Sequence, residues 1–277
     1  MTAVDTTRKS RASPIRTGGR APLRGLLPLV LGLVLWQIFA LPDSPYFPPP
    51  SEWLGALERL AAARRLWPAI SVTLTSFFTA LALNIVIGSA LGILLGRSRL
   101  LDRLLGPTLE FCRTMPAGAL VPVAVLIMGY TASMSLVVVV LTSFWPILLN
   151  ARAGARSISR DRLDTARALQ LSWWATQRKI LLPSVVPSIR LGTQIAAPIT
   201  LIIVLLVEIL TQVSGVGRQI ALAQSVFRSS TVYGLVALTG LFGLAVNWVI
   251  GWIGLLTRKY DPSFSAGVTS SLSMKKS

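Results

Sequence analysis

Few residues in this 277-residue sequence could carry catalytic chemistry. The chain has no histidine, and Cys112 is its single cysteine, which excludes an internal disulfide, a histidine-based metal site and a Ser-His-Asp triad. No HExxH, GxSxG or GxxxxGK(S/T) pattern occurs. The sequence therefore predicts a protein that is not an enzyme, holds no metal ion and has no phosphate-binding loop of its own.

Two places keep polar residues beside long apolar runs. Glu208 lies between the apolar stretches "IIVLLV" and "IL", and residues 160–183 form a polar passage with two adjacent tryptophans. An ionisable group inside a membrane span is costly, so it usually faces the interior of a helix bundle or a water-filled path. Glu208 is therefore a candidate residue of such a path, and the alternative is an acid at a helix end in the membrane surface.

The composition indicates a polytopic membrane protein that must position these residues on helices. Hydrophobic residues make up 53% of the chain and charged residues 13%. About 20 helical residues cross the hydrocarbon core, and a backbone in lipid must satisfy its own hydrogen bonds. The apolar runs predict an all-α fold with six transmembrane helices, at residues 25–41, 68–96, 104–130, 134–150, 185–210 and 232–256. The run 25–41 could also be a signal peptide, but its length favours a span that is not removed.

The basic residues predict the orientation. Of the 27 lysines and arginines, 20 fall in segments that this layout places inside, and five fall in segments that it places outside. The remaining two, Arg113 and Arg190, lie within spans. Cytoplasmic loops of membrane proteins carry such an excess, so both termini are predicted to be cytoplasmic, in a bacterial inner membrane. The same placement argues against nucleic-acid binding, despite the net charge of +17.

The chain divides into four segments by this layout. Residues 1–24 form a basic cytoplasmic tail, and residues 25–66 form the first span with its periplasmic connection. Residues 67–260 form the transmembrane core, and residues 261–277 form a second cytoplasmic tail.

The polar passage predicts an amphipathic helix over about residues 160–174. Its apolar side chains share one broad face, which includes Leu163, Ala166, Leu169, Trp173 and Trp174. Such a face must be buried against lipid or against protein, so a helix lying in the membrane surface is one interpretation. Pro183 fixes its own φ angle and disfavours helix at Leu182, which predicts a rigid corner before the fifth span.

The passage "DTARALQL…KILLP" resembles the EAA loop of ABC importer permeases. Asp164, Thr165 and Ala166 stand for Glu-Ala-Ala, and Gln170 stands where that family usually has glycine. The final Ile-x-Leu-Pro is matched by Ile180, Leu182 and Pro183. The resemblance extends over residues 67–260 and includes the segments "FWPILLNARAGARSI" and "LVEIL…SGVGRQI". Within this range the chain is similar to the nitrate, taurine and aliphatic sulfonate subfamily of type I permeases.

The resemblance implies a membrane-spanning permease subunit that forms half of the path for a small solute, an anion in that subfamily. It implies that the EAA-like loop is a coupling helix docked in an ATPase subunit, with Ala166 entering a groove and Gln170 needing room that glycine would not. The implied partners are two ATPase subunits that bind the ATP, a second permease copy or sister permease, and an extracytoplasmic solute-binding protein. A secondary transporter driven by an ion gradient is the alternative, but it predicts inverted repeats and several intramembrane acids.

Overall fold

The computed structural model describes residues 27–42 and 44–257, with the backbone alone at 160, 161, 163, 167 and 253–257. Regular structure within these ranges is helical, as predicted, and the predicted tails 1–24 and 261–277 lie outside them. The helices in chain order are α1 (Leu27–Phe39), α2 (Pro50–Ala62), α3 (Leu66–Arg97), α4 (Arg99–Arg113), α5 (Ala117–Met128), α6 (Ala132–Ser143), α7 (Trp145–Arg156), α8 (Arg160–Ala168), α9 (Trp173–Thr176), α10 (Leu182–Thr211), α11 (Val216–Ser225) and α12 (Ser229–Thr257).

Three helical runs in the described residues are long and apolar enough to cross a bilayer: Leu66–Arg97, Trp173–Thr211 and Ser229–Trp252. The number rises to five if each of two bent helix pairs, α4 with α5 and α6 with α7, counts as one span. Helix α1 is an apolar helix of 13 residues, which is about 20 Å long and shorter than a hydrocarbon core of about 30 Å. The sixth span therefore stays a prediction.

The span predicted over residues 104–130 is divided into two helices. Helices α4 and α5 meet at a bend of 95°. The chain turns at Thr114 and Met115, whose N–H groups bond to carbonyls three residues back at 3.1 and 3.2 Å. Pro116 then stands before the first residue of α5 with an extended backbone, and proline has no N–H group that could continue the hydrogen bonds of α4. On α4, Glu110 and Arg113 are three residues apart and form an ion pair at 2.7 Å.

Glycines let α3 pack directly against the backbone of α7. A Cβ atom at Gly92 would lie 2.5 Å from Leu148 O and 2.7 Å from Ala151 Cβ. A Cβ atom at Gly96, one turn further, would lie 2.6 Å from Arg152 O. Small residues thus allow close helix packing here, because only glycine fits at these distances.

Polar contacts accompany this packing. Asn84 of α3 is fully buried and donates through Nδ2 to Ser143 Oγ of α6 at 2.7 Å. Asn84 therefore makes a hydrogen bond between two helices. At the other end of α7, Asp102 of α4 pairs with both Arg152 and Arg156. These two ion pairs join the first turn of α4 to the end of α7, from which the chain enters the polar passage.

Candidate functional site

The polar passage folds as two short helices rather than as one helix over residues 160–174. Helix α8 ends at Ala168, and α9 begins at Trp173 after Ser172, whose hydroxyl accepts from Ala175 N at 3.3 Å. Between them Gln170 has a φ of +48°, in the left-handed region. The N–H of Leu171 bonds to Ala166 O at 3.0 Å, which is the pattern of a helix closed by a left-handed residue.

This closure explains why glycine suits the position of Gln170. A residue with a Cβ atom has a steric cost of about 1–2 kcal/mol in the left-handed region, and glycine has none. Glycine, however, loses more backbone entropy on folding, about 0.5–1 kcal/mol relative to alanine. The two effects nearly offset, so glutamine is tolerated here. The side chain of Gln170 is exposed, so it occupies space outside the fold and displaces no other side chain of the described residues.

The candidate coupling residues divide into exposed and buried ones. Asp164 and Thr165 are exposed on α8, whereas Ala166 is 3% exposed and packs inside the chain. A partner that binds α8 therefore contacts the face of Asp164, Thr165 and Ala168 first. Arg162 Nη1 donates to Ser184 Oγ at 3.2 Å, so α8 is bonded to the first turn of α10.

The corner predicted at Pro183 lies elsewhere. Leu182 has helical φ and ψ angles of −56° and −52°. Its N–H bonds to Gln177 O, five residues back, in a wide π-type turn over Gln177–Leu181 that contains Ile180 and leads into α10. A wider turn relieves the clash of a proline ring with the preceding carbonyls. The helix consequently continues through Pro183, and the chain changes direction at Gln170.

Glu208 lies near the end of α10 and is 1% exposed. Its Oε2 accepts from Gly217 N at 2.8 Å, and both carboxylate oxygens lie 2.9 Å from Thr73 Oγ1 of α3. Thr73 Oγ1 also accepts from Val216 N at 2.8 Å. The carboxylate is thus enclosed by its own chain, at the first turn of α11. Negative charge is favourable there, because the N–H groups of the first turn point out of the helix.

The sequence does not identify Thr73, but the segment after α10 indicates that Glu208 has a close neighbour. The segment "SGVG" at residues 214–217 has the glycines of a tight turn before a helix. A Cβ atom at Gly217 would lie 2.6 Å from Glu208 Cβ, and a Cβ atom at Gly215 would overlap the carboxylate. The glycines therefore indicate a close neighbour. They do not say which helix supplies the hydroxyl group.

A basic cavity of about 860 Å³ lies between α2, α11 and the start of α12. Arg59, Arg65 and Arg228 line it from three different segments, together with Glu52. The Oε2 atom of Glu52 accepts from Ser230 Oγ at 3.0 Å. The distribution of basic residues predicts that this face lies outside. Of the five basic residues in segments predicted to lie outside, three line this cavity. The part of the chain that the structure describes contains no group of three His, Cys, Asp or Glu side chains suited to a metal ion.

Comparison with known proteins identifies the family. Residues 84–259 match the family described as binding-protein-dependent transport system inner membrane component. The bicarbonate transport system permease protein CmpB of Synechococcus elongatus is 29% identical over 268 residues, which cover 90% of this chain and 96% of the relative. The taurine transport system permease protein TauC of Escherichia coli is 26% identical and covers 81% of each chain. A secondary transporter is not favoured by these matches.

A solved structure shares the fold. The MetNI methionine ABC transporter, in inward facing conformations, contains a chain that superposes with a TM-score of 0.61 at 17% identity, over 73% of this chain and 98% of that one. The resemblance to ABC importer permeases is confirmed by the family match. A permease subunit is the membrane part of an importer and not an enzyme, because ATP hydrolysis belongs to its ATPase partners. This multi-pass chain therefore belongs to the family of inner membrane components of binding-protein-dependent transport systems.

Proposed function

We propose that the chain forms half of the translocation path for a small oxyanion that a solute-binding protein delivers. The observation that carries this proposal is the set of relatives, which are named for bicarbonate, nitrate, aliphatic sulfonates and taurine. Each of these solutes carries a carbonate, nitrate or sulfonate group. Support comes from Arg59, Arg65 and Arg228, which give the cavity a charge that suits an anion and repels a cation.

The solute class can be tested on the solute-binding protein that delivers the solute to this permease. We expect its thermal unfolding temperature to rise with bicarbonate, nitrate, taurine or an alkyl sulfonate, because a ligand that binds only the folded state stabilises it. At a ligand concentration of about 100 times Kd the stabilisation is about 2.7 kcal/mol. Choline and glucose serve as cationic and neutral controls. A shift with a control and with none of the anions would contradict the proposal.

The proposed assembly contains two permease chains, either two copies of this chain or this chain and a sister permease, with two ATPase subunits. We assign the docking of each ATPase to α8 and the turn that follows it. Asp164, Thr165 and Gln170 are exposed and offer direct contacts, whereas Ala166 supports α8 from inside. Ile180, Leu182 and Pro183 form the junction with α10, so a displacement of α8 is passed to that helix.

We propose that Glu208 acts at the outer end of the path. Its carboxylate is buried among the described residues, and its contacts with Thr73 and Gly217 fix the start of α11. The role proposed for Glu208 is therefore to hold the wall of the path.

The orientation has both termini in the cytoplasm, with Ser225 outside and Ser157 inside. Both side chains can be tested, since Ser225 is exposed at the end of α11 and Ser157 follows α7. With Cys112 changed to alanine, we expect a single cysteine at 225 to react with an impermeant maleimide in intact cells. A single cysteine at 157 should react only after lysis. Labelling in the reverse pattern would overturn the layout.

A further inference from the structure

We propose that Thr73 is a positioning residue for transport, which together with Glu208 latches α11 to α3 and α10. The latched helix α11 is one wall of the basic cavity. This inference rests on the proposed function and adds to it the contact that keeps the outer wall in place. The latch consists of the Thr73 hydroxyl, the Glu208 carboxylate, and the N–H groups of Val216 and Gly217.

The Thr73 hydroxyl has two partners at once. It donates to the Glu208 carboxylate, with both oxygens at 2.9 Å, and it accepts from Val216 N at 2.8 Å. Thr73 is 3% exposed, so solvent water cannot replace either hydrogen bond. A valine of the same shape would leave the N–H of Val216 and part of the carboxylate without partners. Unsatisfied buried groups are costly, above all near lipid.

The two glycines of the segment 214–217 bring the backbone close enough for the latch to close. Gly215 has a φ of +150°, which side chains rarely adopt, and a Cβ atom there would overlap the carboxylate. A Cβ atom at Gly217 would lie 2.6 Å from Leu205 O of α10. The latch therefore explains why residues 215 and 217 are glycines, without any direct contact between them and a solute.

Helix α11 connects the latch to the basic cavity. The latch bonds its first turn, and its later residues Gln219, Leu222, Ala223 and Ser225 line the cavity. Ten residues of helix extend about 15 Å. Arg228 of the cavity follows α11 directly, with its N–H bonded to Ala223 O at 2.9 Å. A release of the first turn would therefore move both this wall and Arg228 relative to Arg59 and Arg65.

The latch can be tested by amide hydrogen exchange of the full chain in lipid nanodiscs. Loss of a buried hydrogen bond to a charged group should speed exchange over residues 212–225 by about tenfold or more in Thr73→Val. Thr73→Ser keeps the hydroxyl and should exchange like the wild type. Thr75→Val is the matched control on α3, because the exposed Thr75 bonds only to Ser71 O of its own helix at 2.8 Å. Glu208→Gln should speed the same segment, since one acceptor oxygen becomes a donor.

A transport measurement tests whether Thr73 is needed for transport or only for the stability of the fold. Thr73→Val, assembled with its ATPases and reconstituted with the loaded binding protein, should lose about tenfold or more in uptake of labelled bicarbonate, nitrate or taurine. Thr73→Ser should restore uptake. Unchanged exchange in Thr73→Val, or fast exchange with undiminished uptake, would overturn the proposal. If wild-type complexes take up none of these anions, the proposed solute class fails, and the exchange measurement still decides whether the latch exists.

Discussion

Gly92→Ala is expected to destabilise the fold by about 1–3 kcal/mol, the range for overpacking a tight core. The new methyl group would meet Leu148 O at 2.5 Å and Ala151 Cβ at 2.7 Å. The first of these is a backbone atom of α7, which cannot rotate away as a flexible side chain can. Gly92→Leu adds three more carbons and is expected to prevent the packing of α3 against α7 altogether.

The measurement is thermal unfolding of the purified permease complex in mild detergent, with the yield of monodisperse protein. Gly240→Ala is the matched control, because Gly240 lies in the long apolar helix α12 with no atom within 4 Å of an added Cβ. Alanine there should be neutral or stabilising by up to about 1 kcal/mol. An unfolding temperature for Gly92→Ala equal to that of the wild type would contradict the close packing described for α3 and α7.

Ala168→Trp is expected to release the ATPase subunits from the complex. Ala168 is exposed on α8, on the same face as Asp164 and Thr165, so a bulky side chain there would meet a docked partner. Overpacking of an interface by about 1–3 kcal/mol weakens binding by about fivefold to over a hundredfold. The readouts are the ATPase retained on the purified permease, measured by gel, and the hydrolysis stimulated by the loaded binding protein.

Two further variants distinguish docking from internal packing and from anchoring in the membrane surface. Ala166→Trp places the same side chain at a position 3% exposed, and it should lower the stability of the permease itself. Gln170→Gly should keep the ATPases, because the left-handed turn admits glycine. If Ala168→Trp retains full ATPase binding and stimulation, α8 is not the docking helix. The exposed Trp173 and Trp174 would then indicate an interfacial helix.

The sequence predicted the parts of the fold that depend on composition and local pattern. The apolar runs located the long helices α3, α10 and α12. The partner helix α7 could not be deduced, because helix pairing in lipid depends on complementary shape between segments far apart in the chain. The bend between α4 and α5 does not follow from Pro107, Pro116 and Pro122, since proline is also tolerated inside continuous spans.

For the candidate site, the sequence identified individual residues but not the contacts that they make. Asp164 and Gln170 were found through a motif, but the motif does not say that the chain turns at Gln170 rather than at Pro183. That difference depends on the π-type turn at Gln177–Leu181, which has no simple sequence signal. Glu208 was found because a carboxylate among apolar residues is unusual. Its partner Thr73 was missed, because a threonine in a span usually bonds to its own helix, as Thr200 does to Ala196 O.

The length of α3 has a mechanical consequence. Its 32 residues extend about 48 Å, and they contain Pro68 near the start and no later proline that would bend the helix. Gly92 and Gly96, near one end, hold the helix against α7, and Thr73, near the other end, holds α11. Thr73 lies 19 residues from Gly92, about 28 Å along the helix. A tilt of α3 by about 5° about Gly92 would therefore displace Thr73 by about 2.5 Å. A small displacement of α7 near Gly92 would then reach α11 as a movement nearly as long as the hydrogen bonds of the latch, which are 2.8–2.9 Å.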